Sequence, residues 1–188
     1  MRTDSIPCHG LGGRFAALLA VAVLTTGCPR ILSIDYKPST SIKGSGPVRV
    51  DPFLYRGHPT GLMKSKELES GRRDAEALYL SQDIGSFFTI AFQKELVKAG
   101  YDVKPEATRI VSGTIEHFFL DYAGEADQRF QIRVIFNSTT IKDSSFTSTC
   151  QSDRQQTRDW STSGLLIERG VKDCIEQFLK AAQAADAL

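Results

Sequence analysis

The sequence predicts an α+β fold. It is read as a single two-layer domain, a mostly antiparallel sheet with two main helices on one face, in the order β-α-β-β-β-(β)-α. Three observations predict it. Apolar residues recur at helical spacing in two stretches, Ile84 to Leu96 and Ile167 to Ala182. Between them, residues 110–122 and 130–136 alternate with the period of two that a sheet face requires. The chain has 188 residues, 41% hydrophobic and 24% charged, which suits one core plus an N-terminal targeting segment.

The elements follow in order. Residues 29–47 hold Pro38, Gly44, Gly46, Pro47 and several Ser and Thr, the composition of a linker, although Ile31–Tyr36 within it has the pattern of a short strand. Val48–Tyr55 alternates like a strand, with Pro52 marking an edge or an end. Residues 56–75 are polar and broken by Gly57, Pro59, Gly61 and Gly71, and are expected to form a mobile loop. Ser81 or Asp83 caps the first helix and Gly100 ends it. Ile84, Phe87, Phe88, Ala91, Phe92 and Leu96 form its apolar face, and Tyr101–Lys104 is a short strand.

The long strand Ile110–Tyr122 would place Val111, Gly113, Ile115, His117 and Phe119 on one face, with Gly113 at a bulge or a close approach. Phe130, Ile132, Val134 and Phe136 alternate on an antiparallel partner, and a Ser/Thr-rich third strand runs from about Phe146 to Gln151. The last helix spans about Ser163–Ala184, with Ile167, Val171, Cys174, Ile175, Phe178, Leu179 and Ala182 as its stripe. The expected core is Phe87, Phe88, Phe92, Phe118, Phe119, Ile132, Val134, Val171 and Phe178.

The first thirty residues carry a targeting signal. Arg2 and Arg14 precede a ten-residue apolar run, Phe15–Leu24, which is too short to span a bilayer and has the length of a secretory h-region. Leu24-Thr25-Thr26-Gly27-Cys28 then resembles the lipobox of bacterial lipoproteins, with Thr25 where Leu is commoner. The resemblance implies diacylglyceryl transfer to the Cys28 sulfur, cleavage before it and acylation of the new amine. A plain signal peptide cleaved near Thr26 is the other reading. The expected organisation is a signal peptide at 1–27, a lipid-anchored tether at 28–47 and a periplasmic α+β domain at 48–188. Removal of residues 1–27 would leave 161 residues with 21 basic and 21 acidic side chains.

The full chain has 23 basic and 22 acidic residues, no global footprint for nucleic acid. Cys150 and Cys174 are the cysteines left after Cys8 and Cys28. They form either a disulfide closing a loop of about 25 residues or two separately buried thiols. Nucleotide-binding, hydrolase-elbow and zinc-protease motifs are missing, and no His or Cys lies at ligand spacing from His58 or His117. No cofactor, metal site or catalytic residue is therefore expected. Glu116 and His117 should face opposite sides of the sheet; His117 and Asp121 could meet along one face without completing a catalytic set.

The segment Phe92-Gln93-Lys94-Glu95-Leu96-Val97-Lys98-Ala99-Gly100-Tyr101-Asp102-Val103, followed by Val111-Ser112-Gly113-Thr114-Ile115 and a C-terminal helix, resembles small Gram-negative lipoproteins of the YajG-type and ABC-transport-auxiliary families. The resemblance covers roughly residues 28–185. It implies a non-catalytic, lipid-anchored binding or accessory module of a cell-envelope or transport complex, with a small envelope hydrolase as the alternative. Its implied partners are the membrane, through the N-terminal lipid, and envelope or transport proteins. Pro29, rather than Asp, after Cys28 leans the location to the periplasmic leaflet of the outer membrane. The expected contact surface is the 56–75 loop and the 152–162 connection, with Trp160 as anchor and Arg154 and Arg158 beside it. Trp160 as a staple under the last helix is the competing reading.

Overall fold

The computed structural model describes residues 30–57, 64–70, 77–121, 128–139, 145–156 and 163–188. Its largest sheet is built on β6 (Ile110–Asp121), β7 (Gln128–Thr139) and β8 (Ser145–Gln156), three antiparallel strands of 12 residues each. On the other edge of β6, three segments pair in succession, all parallel to it. They are β2 (Pro47–Val50), β3 (Leu54–Tyr55) and then Glu69, opposite Phe119. β5 (Asp102–Val103) joins β2, again parallel. A second, two-stranded parallel sheet pairs β1 (Arg30–Leu32) with β4 (Leu78–Leu80). The sheet is thus mixed: antiparallel where hairpins join long strands, parallel where short segments return to β6.

Both helices stand where the periodicity put them. α1 (Ile84–Ala99) starts at Asp83, whose carboxylate accepts the Ser86 N–H at 3.2 Å. It ends at Gly100, whose φ of 103° lets its N–H turn back to the carbonyls of Leu96 and Val97. α2 (Ser163–Ala184) buries Ile167, Val171, Cys174, Ile175, Phe178 and Ala182 against the same sheet face. The aromatic residues interlock the layers: Phe136 of β7 stacks on Phe178 at 4.3 Å and lies 6.0 Å from Phe88. Phe53 fills the space beside them, and Gly113 exists for it. A Cβ there would lie 2.5 Å from the Phe53 ring and 2.4 Å from the Ile135 carbonyl oxygen.

Several expectations need correction. The bulge falls at Glu116 rather than Gly113: Ile115 pairs with Val134 and His117 with Arg133, leaving one extra residue on β6. Alternation therefore inverts. Phe118 and Leu120 turn into the core, while His117 and Phe119 turn out, so Phe119 is half-buried rather than core. The long ladders are antiparallel as expected, the short parallel segments on β6 and β2 make the sheet mixed, and β4 was unforeseen. The 56–75 loop is packed over its described part, residues 64–70, where Leu68 and Glu69 are buried. The 28–47 tether is no tether from Arg30 onward. Tyr36, Thr40 and Ile42 are buried, and β1 pairs with β4.

Candidate functional site

Two acidic side chains organise the parts of the chain that lack regular structure. Glu95 sits on the apolar face of α1 and is fully buried. Its carboxylate accepts the Tyr36 hydroxyl at 2.6 Å, the Ser39 N–H at 3.2 Å and the Thr40 N–H at 2.9 Å. Burial, and next the Glu95 carboxylate, hold the Tyr36 phenol well above its ordinary pKa. Lys94 adds a bond from its Nζ to the Tyr36 carbonyl, and Glu168 of α2 accepts the Lys37 N–H at 2.9 Å. Residues 36–40 are thereby strapped to both helices.

Glu69 does the same for residues 64–70. Its Oε1 accepts the Phe118 N–H at 3.0 Å and the Tyr55 hydroxyl at 3.3 Å, and its Oε2 meets His117 Nδ1 at 2.5 Å. The inversion of β6 at Glu116 is what points His117 away from the core, where its ring stacks on Phe119 at 5.5 Å. The bond to Glu69 raises the His117 pKa against the opposing effect of burial, with smaller help from a Gln131 hydrogen bond. For Glu69, burial pushes upward as the largest single influence. The hydrogen bonds from His117 and the Phe118 N–H together outweigh it, and the carboxyl lies below its ordinary value.

A carboxylate-oriented histidine is half of an acid–base machine. The hydroxyl that the structure adds to the pair is that of Tyr55, and burial, then Glu69, raise its pKa well above the ordinary value, the wrong direction for a nucleophile. The arrangement serves as a latch: it clamps an extended segment to the sheet edge. Among the described residues no cluster of three His, Cys, Asp or Glu side chains could hold a metal ion.

Two surfaces remain open. The sheet face opposite the helices displays Thr114, Gln131, Arg133, Asn137 and Thr147 in a polar array; Thr147 donates to Asn137 at 3.0 Å and Arg133 to Gln151 at 3.5 Å. On the outer side of α1 lies a groove of about 440 Å³, with Pro38, Ile90, Val97 and Val103 as its floor and Lys94 and Lys98 at its rim.

The sequence-predicted sites fare unevenly. Cys150 on β8 and Cys174 on α2 stand with Cα atoms 5.2 Å apart and their sulfurs in bonding contact, tying the edge strand to the helix. Cys28, Arg158 and Trp160 lie outside the described residues. Arg154 holds a backbone place on β8 opposite Phe130, with its side chain outside them. His117 takes Glu69 as its partner, a residue 48 positions away that no local pattern linked to it. Glu95 did leave a signal: an acid in the line Ile84, Phe88, Ala91, Phe92, Leu96, where an apolar residue was due.

No family model matches the sequence, and no curated protein matches it. Solved structures do share the fold. A Xanthomonas campestris protein, XCC0632 of family DUF330, is 11% identical with a TM-score of 0.63, covering 84% of this chain and 99% of that one. An uncharacterised protein is 9% identical with a TM-score of 0.55, over 81% and 98% of the two chains. The Neisseria meningitidis lipoprotein GNA1162 is 12% identical over 72% and 99%, and its TM-score of 0.39 is too low to carry an argument. At such identities the likeness shows the fold alone. Among the described residues, no helix is long and apolar enough to cross a membrane.

Proposed function

We propose that this protein is a lipid-anchored, periplasm-facing accessory module of a cell-envelope or transport complex, acting by contact rather than by catalysis. One observation carries the reading: the lipobox Leu24–Cys28 behind a basic start and a ten-residue apolar run. Two further features support it. The buried acids Glu95 and Glu69 are spent on fastening segments, and the open sheet face presents a polar, hydrogen-bonding array suited to a protein partner. Three acyl chains on Cys28 would hold the protein durably, since one chain alone binds only marginally. Pro29 after the cysteine favours the outer membrane over retention at the inner one.

The test is a metabolic label. Wild-type protein should take up labelled palmitate and fractionate with membranes, and Cys28→Ala should do neither. Soluble, unlabelled wild-type protein defeats the proposal. The Glu69–His117 pair favours a second reading, a small envelope hydrolase. His117→Gln separates the two: loss of a hydrolytic activity in folded protein supports the enzyme, whereas retained partner capture supports the module.

A further inference from the structure

The structure removes the tether on which a lipoprotein domain would ordinarily swing. Among the described residues, packing is already present at Arg30, which pairs with Leu78, and continues through the Tyr36–Glu95 strap. Only Pro29 lies between Cys28 and Arg30, two steps of chain with a reach of roughly 7 Å when fully extended. A domain of about 160 residues has a radius of gyration of about 15 Å. If Cys28 carries lipid, a domain this large on a leash this short has one of its ends pressed into the headgroup layer.

That end is identifiable. β1 carries Ile31, which is 64% exposed and points away from the half-buried Leu32. Three residues on, the Ile34 side chain packs beside Gly164, 3.8 Å from where a Cβ would stand. The neighbouring Leu165, in the first turn of α2, is 50% exposed. These are two of the five large apolar side chains left exposed among the described residues. Both belong to the end that holds the chain's entry point. Arg30, Lys64 and Lys66 are also exposed; Lys66 reaches the Ser81 carbonyl, and the Ser81 N–H bonds the Leu32 carbonyl. Apolar side chains with cations around them are the composition of an interfacial membrane contact.

We propose that β1 and the first turn of α2 form a membrane-apposed face, with Ile31 and Leu165 lying in the interfacial region of the bilayer that holds the Cys28 lipid. This inference rests on the lipid-anchor reading above. It fixes the orientation of the domain: the opposite end, around Thr108 and the start of β6, is held away from the membrane by a strand of 12 residues, about 40 Å at ~3.3 Å each.

The experiment uses full-length lipidated protein in vesicles of phosphatidylethanolamine and phosphatidylglycerol, with Cys28 acylation verified by mass. A polarity-sensitive fluorophore is placed at Leu165→Cys or, as a distal control, at Thr108→Cys. Emission at position 165 should shift to the blue and be quenched by lipids brominated in their acyl chains, with no change at position 108. Hydrogen exchange on the unsubstituted protein supplies a second readout: amides of β1 and residues 163–166 should exchange more slowly on vesicles than in a soluble Cys28→Ser form. An acylated protein with no quenching at 165 and no added protection overturns the orientation and leaves the anchor intact. An unacylated Cys28 overturns both.

Discussion

Replacing Glu95 tests how the chain between the lipobox and the domain is fastened. Alanine at this position would leave two buried donors, the Tyr36 hydroxyl and the Thr40 amide, and the part-buried Ser39 amide without an acceptor. An unmet buried donor costs about 1–3 kcal/mol, and losing one member of a buried charged network about 3–5. The strap has an escape: it can peel off and rehydrate its amides. Peeling exposes Tyr36 and Ile42 at about 1.5–3 kcal/mol each, which sets a ceiling of similar size. Both routes place Glu95→Ala at about 3–5 kcal/mol.

Glutamine should behave differently. Its amide nitrogen can turn toward the Tyr36 hydroxyl, which then accepts instead of donating, while its carbonyl oxygen keeps the Ser39 and Thr40 amides. A loss of about 1 kcal/mol is expected from exchanging a charged acceptor for a neutral one. Urea unfolding gives the magnitudes, and amide exchange at Ser39 and Thr40 tells peeling from global unfolding. Equal losses for both variants, or a Glu95→Ala loss under about 1 kcal/mol, would refute this account of the strap.

Other outcomes follow from the same contacts. Phe88→Ala removes a fully buried ring 4.9 Å from Phe53 and 6.0 Å from Phe136, and should cost about 3–5 kcal/mol in denaturant unfolding; a change under about 0.5 would place Phe88 on a surface. The raised His117 pKa gives stability that is complete below the ordinary value of 6.5 and lost as pH rises through the folded value. The lowered Glu69 pKa gives stability present above the ordinary 4.5 and lost as pH falls through its folded value. The stability gap between wild type and His117→Gln should therefore peak between about pH 4.5 and 6.5 and shrink on either side, and a flat difference across that range contradicts the latch. Reducing the Cys150–Cys174 bridge frees a loop of about 25 residues and should lower stability by up to about 3.5 kcal/mol, read as a drop in Tm with reductant.

Much of the fold is legible because hydrophobic periodicity speaks for long elements. α1, α2, β6 and β7 announce themselves through faces of four or more apolar residues. Short parallel segments do not. β2, β3 and Glu69 each contribute one or two residues to the edge of β6, too few for any period to register. The bulge at Glu116 is hidden for a related reason. Phe118 and Phe119 are adjacent and alike, so the sequence supports either phase of alternation after Ile115. The phase is chosen by Glu69, which takes the Phe118 N–H and His117 together. Of the candidate site, the Cys150–Cys174 juxtaposition was within reach of sequence reasoning; the choice of His117's partner was not.

The segments misread as linker and loop share one physical design. Residues 36–40 and 64–70 are polar and short of apolar pattern, yet at the centre of each attachment is a buried carboxylate that takes a backbone N–H and a tyrosine hydroxyl, beside further hydrogen bonds to neighbouring elements. In the first case the acid sits on the helix and receives the segment; in the second it sits on the segment and plugs into the sheet. Composition registers such stretches as solvated chain because they are held by hydrogen bonds, centred on a buried acid, rather than by a face of apolar residues. The two placements have different consequences. The latch at Glu69 includes a histidine and so responds to pH, while the strap at Glu95 is held by a tyrosine and two amides. The strap follows β1 in the chain, so it fastens residues 36–40 to the helices while β1 keeps its own pairing with β4.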